Sequence, residues 1–150
     1  MAITQAMATS FKVEILDGIH AFGTTVVRGS TTADNFFLAL YTSAATLDAT
    51  TTAYTTAGEV ATAGNYTALG QLLTVSTAPT STGTTAWLDF DNETWTSSTI
   101  TAAGCMIYNS SQSNKCVAVL DFGADKTSTD GDFTVIFPAA DSSNAIIRIA

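Results

Sequence analysis

Asp89, Asp91 and Glu93, in the string DFDNE, are the densest set of possible metal ligands in the chain. On a strand these three share one face, because side chains alternate with a period of two. Hard cations such as calcium collect several oxygen ligands at such a place. Asp121, Asp125, Asp130 and Asp132 add further carboxylates downstream. No calcium-loop signature accompanies them, and a solvated outer face with acidic turns is the simpler reading. His20 is the only histidine. A nucleophile relay through it would need a Ser or Cys and an acid folded onto it, and no G-x-S-x-G context occurs. Two acids suffice for a glycosidase, but a chain this short has little room for a sugar cleft beside a core. Trp87, Trp95, Tyr54 and Tyr66 could stack on sugars; buried core aromatics are the simpler account. Neither phosphate-binding glycine motif is present. The N-x-[ST] triplets at Asn65, Asn92 and Asn109 are expected by chance in a chain so rich in Thr and Ser. No catalytic residue is assigned, no cofactor is expected, and Asp89, Asp91 and Glu93 stand as the metal candidates.

The elements that would position these residues belong to one domain of 150 residues, long enough for a real core. Charged residues make up 12% of the chain, about half the ~25% typical of soluble proteins. Thr, Ser and Ala take their place, and Thr suits a pleated surface. Net charge is -8, from 13 acidic and 5 basic residues. Lys12, Arg28, Lys115, Lys126 and Arg148 are scattered singly, which argues against nucleic acid and against an anionic membrane surface. The first residues lack the basic segment of a secretory signal, and no apolar run approaches the ~20 residues that span a bilayer. Synthesis in a cytoplasm follows as the expectation. Cys105 and Cys116 flank a polar loop. They could face each other across a hairpin, but two small buried thiols fit a cytoplasmic chain better.

Ile3, Met7, Phe11, Ile15 and Ile19 recur at i+4, which predicts an amphipathic helix over 3–22 ended by Gly23. From Thr25 onward the pattern is strand. Thr25–Arg28 is short, and Phe36–Thr42 is apolar on both faces and so central. Tyr66–Thr77 is interrupted by Gly70, a bulge or bend. Thr84–Phe90, Ser97–Thr101, Gly104–Asn109, Cys116–Phe122, Phe133–Phe137 and Ala145–Ile149 follow. A hairpin loop is expected over 109–114 and a polar loop over 123–132. The fold class is therefore all-β: an antiparallel β-sandwich or jelly-roll-like domain over 24–150, preceded by one amphipathic helix over 1–23 that packs on the domain or on a partner. Residues 42–62 form the longest irregular stretch, and loops of that length are usually functional.

Four strings then matter together: Leu38-Ala-Leu-Tyr-Thr-Ser43, Thr52-Ala-Tyr-Thr-Thr56, Glu59-Val60 and Gly64-Asn-Tyr66. With Trp95–Thr101, Ile107–Ser110 and Val119–Lys126, they resemble a group of small virion structural proteins of tailed bacteriophages, frequent among marine and cyanobacterial phages. The resemblance covers most of the chain. It departs at Ala61-Thr62-Ala63 and at Leu69-Gly70. It implies a non-enzymatic virion protein, made in the host cytoplasm and carried on the capsid surface or tail. The first expectation is a capsid decoration or cement protein that stabilises the shell. The alternative is a tail, baseplate or fibre component with a receptor- or glycan-binding sandwich. Implied partners are the major capsid protein, other virion proteins and copies of the chain itself, as trimers for a cement protein. The expected contact residues are Ile3, Met7 and Phe11 on the helix and Leu47, Tyr54, Glu59 and Tyr66 in the Thr-rich connector.

Overall fold

The strand that is apolar on both faces becomes β2, Phe36–Tyr41, and it lies inside a five-stranded sheet. The computed structural model describes residues 3–8, 10–11, 15, 19–23 and 33–150. Leu38 and Leu40 are fully buried, each contributing about 2 kcal/mol by burial. The other strands are β1 (Ala6–Met7), β3 (Gln71–Leu72), β4 (Val75–Thr82), β5 (Thr85–Phe90), β6 (Glu93–Asn109), β7 (Lys115–Val135) and β8 (Ile147–Ile149). One sheet has the order β1-β7-β6-β2-β3, the other β4-β5-β8, and every pairing is antiparallel. The sheets meet through aromatic rings. Phe36 of β2 lies 6.1 Å from Phe90 of β5, and Phe22 stacks on Phe36 at 4.2 Å. The chain is an all-β antiparallel protein.

The expected helix over 3–22 is corrected. Ala6–Met7 form a strand paired with Val119 and Ala118 of β7, and the Thr4 amide donates to the Leu47 carbonyl. Ser10, Phe11 and Ile15 are helical, whereas residues 19–22 are not. Positions 12–14 and 16–18, and the expected strand Thr25–Arg28, lie outside the described residues. The outer edge of β7 offers unpaired backbone groups, and pairing with it outweighs a weak local helical preference.

The loop expected over 123–132 is corrected as well. β6 runs 17 residues and β7 runs 21, absorbing four expected strands and that loop. Backbone pairing needs no apolar side chains, and hydroxyl pairs tie the polar stretch together. Thr101 and Thr127 hydroxyls lie 3.1 Å apart, and Thr94 and Thr134 hydroxyls 3.0 Å apart. Inside, the Ser128 hydroxyl donates to the Ser98 carbonyl at 2.8 Å. The ribbon is not straight. Between the Ala102–Lys126 and Gly104–Asp121 pairs, β6 advances two residues and β7 five. The extra residues form a wide bulge that bends the strand and turns Phe122 back to 6.4 Å from Phe133.

The hairpin expected over 109–114 is present. Asn109 accepts the Ser111 amide through its side chain, and Ser113 and Asn114 take left-handed φ values of 55° and 57°. The register sets Cys105 opposite Leu120 and Cys116 opposite Tyr108, so no disulfide joins the two buried cysteines. Burial pushes the Cys105 thiol far above its usual range.

Candidate interaction site

The Thr-rich connector folds back onto the first sheet and bonds to it. The Val60 amide donates to the Leu40 carbonyl at 2.9 Å, the Tyr54 amide to the Asn114 carbonyl at 2.8 Å, and the Cys116 amide to the Thr52 carbonyl at 2.9 Å. At its centre is Glu59. The Tyr54 hydroxyl donates to Glu59 Oε2 at 2.5 Å, and the Tyr66 hydroxyl to Oε1 at 2.9 Å. The Leu69 amide donates to the same Oε1 at 2.7 Å. Tyr66 also accepts the Leu40 amide at 3.0 Å. Tyr41 donates to the Thr55 carbonyl at 2.6 Å, and Tyr108 to the Leu69 carbonyl at 2.8 Å. The chain has four tyrosines, and all four are in this network. Burial, helped by the Glu59 carboxylate, pushes Tyr108 up to about 12. Burial also raises Tyr41, Tyr54 and Tyr66 well above the ordinary tyrosine value, again with Glu59 adding to it. All four hydroxyls therefore keep their protons at neutral pH and act as donors.

The network holds one residue from both ends. Leu69 gives its N–H to Glu59 and receives the Tyr108 hydroxyl on its carbonyl. Its φ is 85°, and Gly70 follows at 74°. Such a backbone costs a leucine roughly 1–3 kcal/mol and persists only where the surroundings over-determine it. The Leu69 side chain is 50% exposed, and Leu72 is 53% exposed. The result is an apolar feature on the surface, held by exposed and part-buried polar bonds.

The expected contact residues are distributed differently from their sequence pattern. Tyr54 and Glu59 are half-buried in the network, whereas Leu47 and Tyr66 are buried, so neither offers its side chain to a partner in this conformation. Ile3 and Phe11 are also buried in the core, and Met7 is half-buried on β1. Leu69 and Tyr108, absent from the expected set, complete the site. Tyr108 enters through its register opposite Phe37, which no local pattern signals.

Asp89, Asp91 and Glu93 do not share a strand face. β5 stops at Phe90, the chain turns at Asp91-Asn92, and Glu93 begins β6. Asp89 is buried, Asp91 exposed and Glu93 half-buried. Among the described residues no three His, Cys, Asp or Glu side chains are arranged to hold a metal ion. Asp89 Oδ1 accepts the Phe90 amide at 2.9 Å, while its buried Oδ2 has no hydrogen-bond partner. Desolvation therefore raises the Asp89 carboxyl above its ordinary value; the Phe90 and Ile146 amides oppose this and Asp141 reinforces it. A raised folded-state pKa stabilises the fold below the unfolded-state pKa, and that contribution is lost as pH rises through the folded value. Asp89→Asn removes the charged form. The variant is expected to melt above the parent at neutral pH, with the gap closing as pH falls toward the ordinary Asp value; melting curves across that range check this.

His20 joins a second polar knot. Its Nδ1 lies 3.0 Å from Asn109 Nδ2, which donates to Asp34 Oδ2 at 2.9 Å, and the Ala21 amide donates to the same oxygen. Its ring packs 4.8 Å from Phe11. The knot ties the N-terminal segment to the end of β6. Of the aromatic set considered for sugars, Trp95 and Tyr66 are buried 5.7 Å apart, and they offer no stacking platform.

Fold and site together define an antiparallel all-β protein built around a tyrosine–carboxylate clamp. Comparison with known proteins found no matching family model, no similar curated protein and no similar solved structure. Among the described residues no helix is long and apolar enough to cross a membrane.

Proposed function

We propose that this chain is a non-enzymatic structural protein of a bacteriophage virion, and that it decorates and cements the capsid. The observation that carries the reading is where the virion-like strings fold. Tyr41, Tyr54, Glu59 and Tyr66 come from four separated strings, and they converge on one hydrogen-bonded network that fixes the Leu69 peptide. A strained, half-exposed leucine held from both sides is pre-organised for contact, which lowers the ordering cost of assembly. The outward face of the β6–β7 ribbon supports the same reading. Thr96, Thr99, Thr101, Thr127, Thr129 and Thr134 are exposed there, and hydroxyls desolvate at lower cost than charges. The two sheets are read as a sandwich of jelly-roll kind. Its partners in this reading are the major capsid protein, other virion proteins and further copies of the chain.

The purified protein is expected to bind expanded shells and to raise their melting temperature. Leu69→Asp should weaken that binding while leaving the fold intact, because Asp tolerates a left-handed backbone. Absence of shell binding, together with label on the tail in micrographs, would replace this reading with the tail or fibre one.

A further inference from the structure

The wide bulge in β7 creates a second surface feature, separate from the tyrosine clamp. Phe122 folds back beside Phe133, and the space between forms a groove of about 450 Å³. Its walls are Phe122, Lys126 and Thr127 on one side and the run from Asp132 to Ile136 on the other. Five consecutive residues line that second side. Side chains alternate between faces along a strand, so a groove lined by consecutive residues runs along the strand's edge and not over one face. Beyond Val119 that outer edge of β7 has no strand partner among the described residues, since β1 pairs only at Ala118 and Val119. Just past the strand, Ile136 is 74% exposed, while the next amide, Phe137, is pinned to Asn92 Oδ1 at 2.9 Å. An exposed apolar side chain thus stands on anchored backbone at the mouth of the groove.

Charge selects the occupant. Of the charged residues only Asp132 and Lys126 line the groove itself, while Asp121, Asp125 and Asp130 are exposed on the same stretch of β7 and leave that stretch acidic. A second copy of the chain is a poor match, because it carries a net charge of -8 and only five scattered basic residues. Nucleic acid and anionic lipid are repelled for the same reason. We infer that the β7 groove is a docking site for an extended segment of another protein in which an apolar side chain is flanked by Lys or Arg. The segment adds to the open strand edge, its apolar side chain enters between Phe122 and Ile136, and its cations face the aspartates. The assignment stands on the groove's geometry and charge, and is independent of the virion reading.

The test uses a short fluorescein-labelled peptide alternating lysine with leucine, titrated with the full chain and followed by anisotropy. Saturable binding is expected, weakening as salt rises. Ile136→Ser should reduce affinity about tenfold or more, as loss of a buried apolar anchor does. Phe122→Ser should act in the same direction, and Asp132→Asn should lower both affinity and salt dependence. Ile136 is mostly exposed, so its variant should melt with the parent. Equal binding of a lysine–serine peptide would overturn the proposal in favour of charge alone. So would binding unchanged in both Ile136→Ser and Phe122→Ser. Self-association of the chain by sedimentation, abolished by Ile136→Ser, would assign the groove to a second copy instead.

Discussion

Gly70→Ala is expected to abolish the native fold or to destabilise it by more than about 4 kcal/mol, beyond the range of ordinary substitutions. Two costs combine at this position. Gly70 has φ 74°, a conformation that L side chains rarely adopt. A Cβ there would also sit 1.9 Å from the Leu38 carbonyl oxygen and 2.8 Å from Ala39 Cα. Both obstacles are backbone in the middle of β2, where Leu38 and Ala39 are fully buried. Neither can move without tearing the pairing of β2 with β6. Gly83→Ala separates the two costs. Gly83 has φ 60° but open space around its would-be Cβ, so only the roughly 1–2 kcal/mol conformational cost applies. Urea denaturation of both variants checks this. Equal midpoints would mean that the close approach of residue 70 to β2 is wrong.

Glu59→Ala carries the second large effect, about 1–3 kcal/mol, set mainly by the buried Tyr66 hydroxyl it leaves without an acceptor. It strips the acceptor from the Tyr54 and Tyr66 hydroxyls and from the Leu69 amide. Leaving one buried donor unsatisfied costs about 1–3 kcal/mol. The Tyr66 side chain is fully buried and cannot turn to water. Glu59→Gln should cost less, because it keeps one carbonyl acceptor while its NH2 meets a donor. The damage should also be local. Hydrogen exchange at the Leu69 amide and through the connector should accelerate far more than in β6 and β7, whose mutual pairing does not involve Glu59. Uniform acceleration across the chain would show that the clamp is not a separate unit.

The parts of this fold that were legible in the sequence are those whose signal is local. Phe36–Tyr41 reads as central because both faces are apolar, and it is flanked on both sides by strands. The turn over 109–114 reads from its polar residues alone. The N-terminal residues mislead because spacing at i+4 is compatible with a helix, while the open edge of β7 is invisible until the sheet exists. The run DFDNE misleads because alternation presumes one strand, and the chain turns at Asp91-Asn92. The stretch over 123–132 reads as a loop by composition, yet its partner strand needs only its backbone. The connector reads from sequence as a long irregular stretch. The network that ties it down does not, because that network includes Tyr108, which arrives through the β2–β6 register. The left-handed backbone at Leu69-Gly70 is likewise unmarked at Leu69, since only the glycine announces a positive φ.

The most direct test of the proposal that this chain is a virion protein is its copy number in purified phage particles, by quantitative mass spectrometry. A decoration protein follows the symmetry of the shell and should be present on the order of hundreds of copies per particle. A dozen copies or fewer, or none, would contradict the assignment.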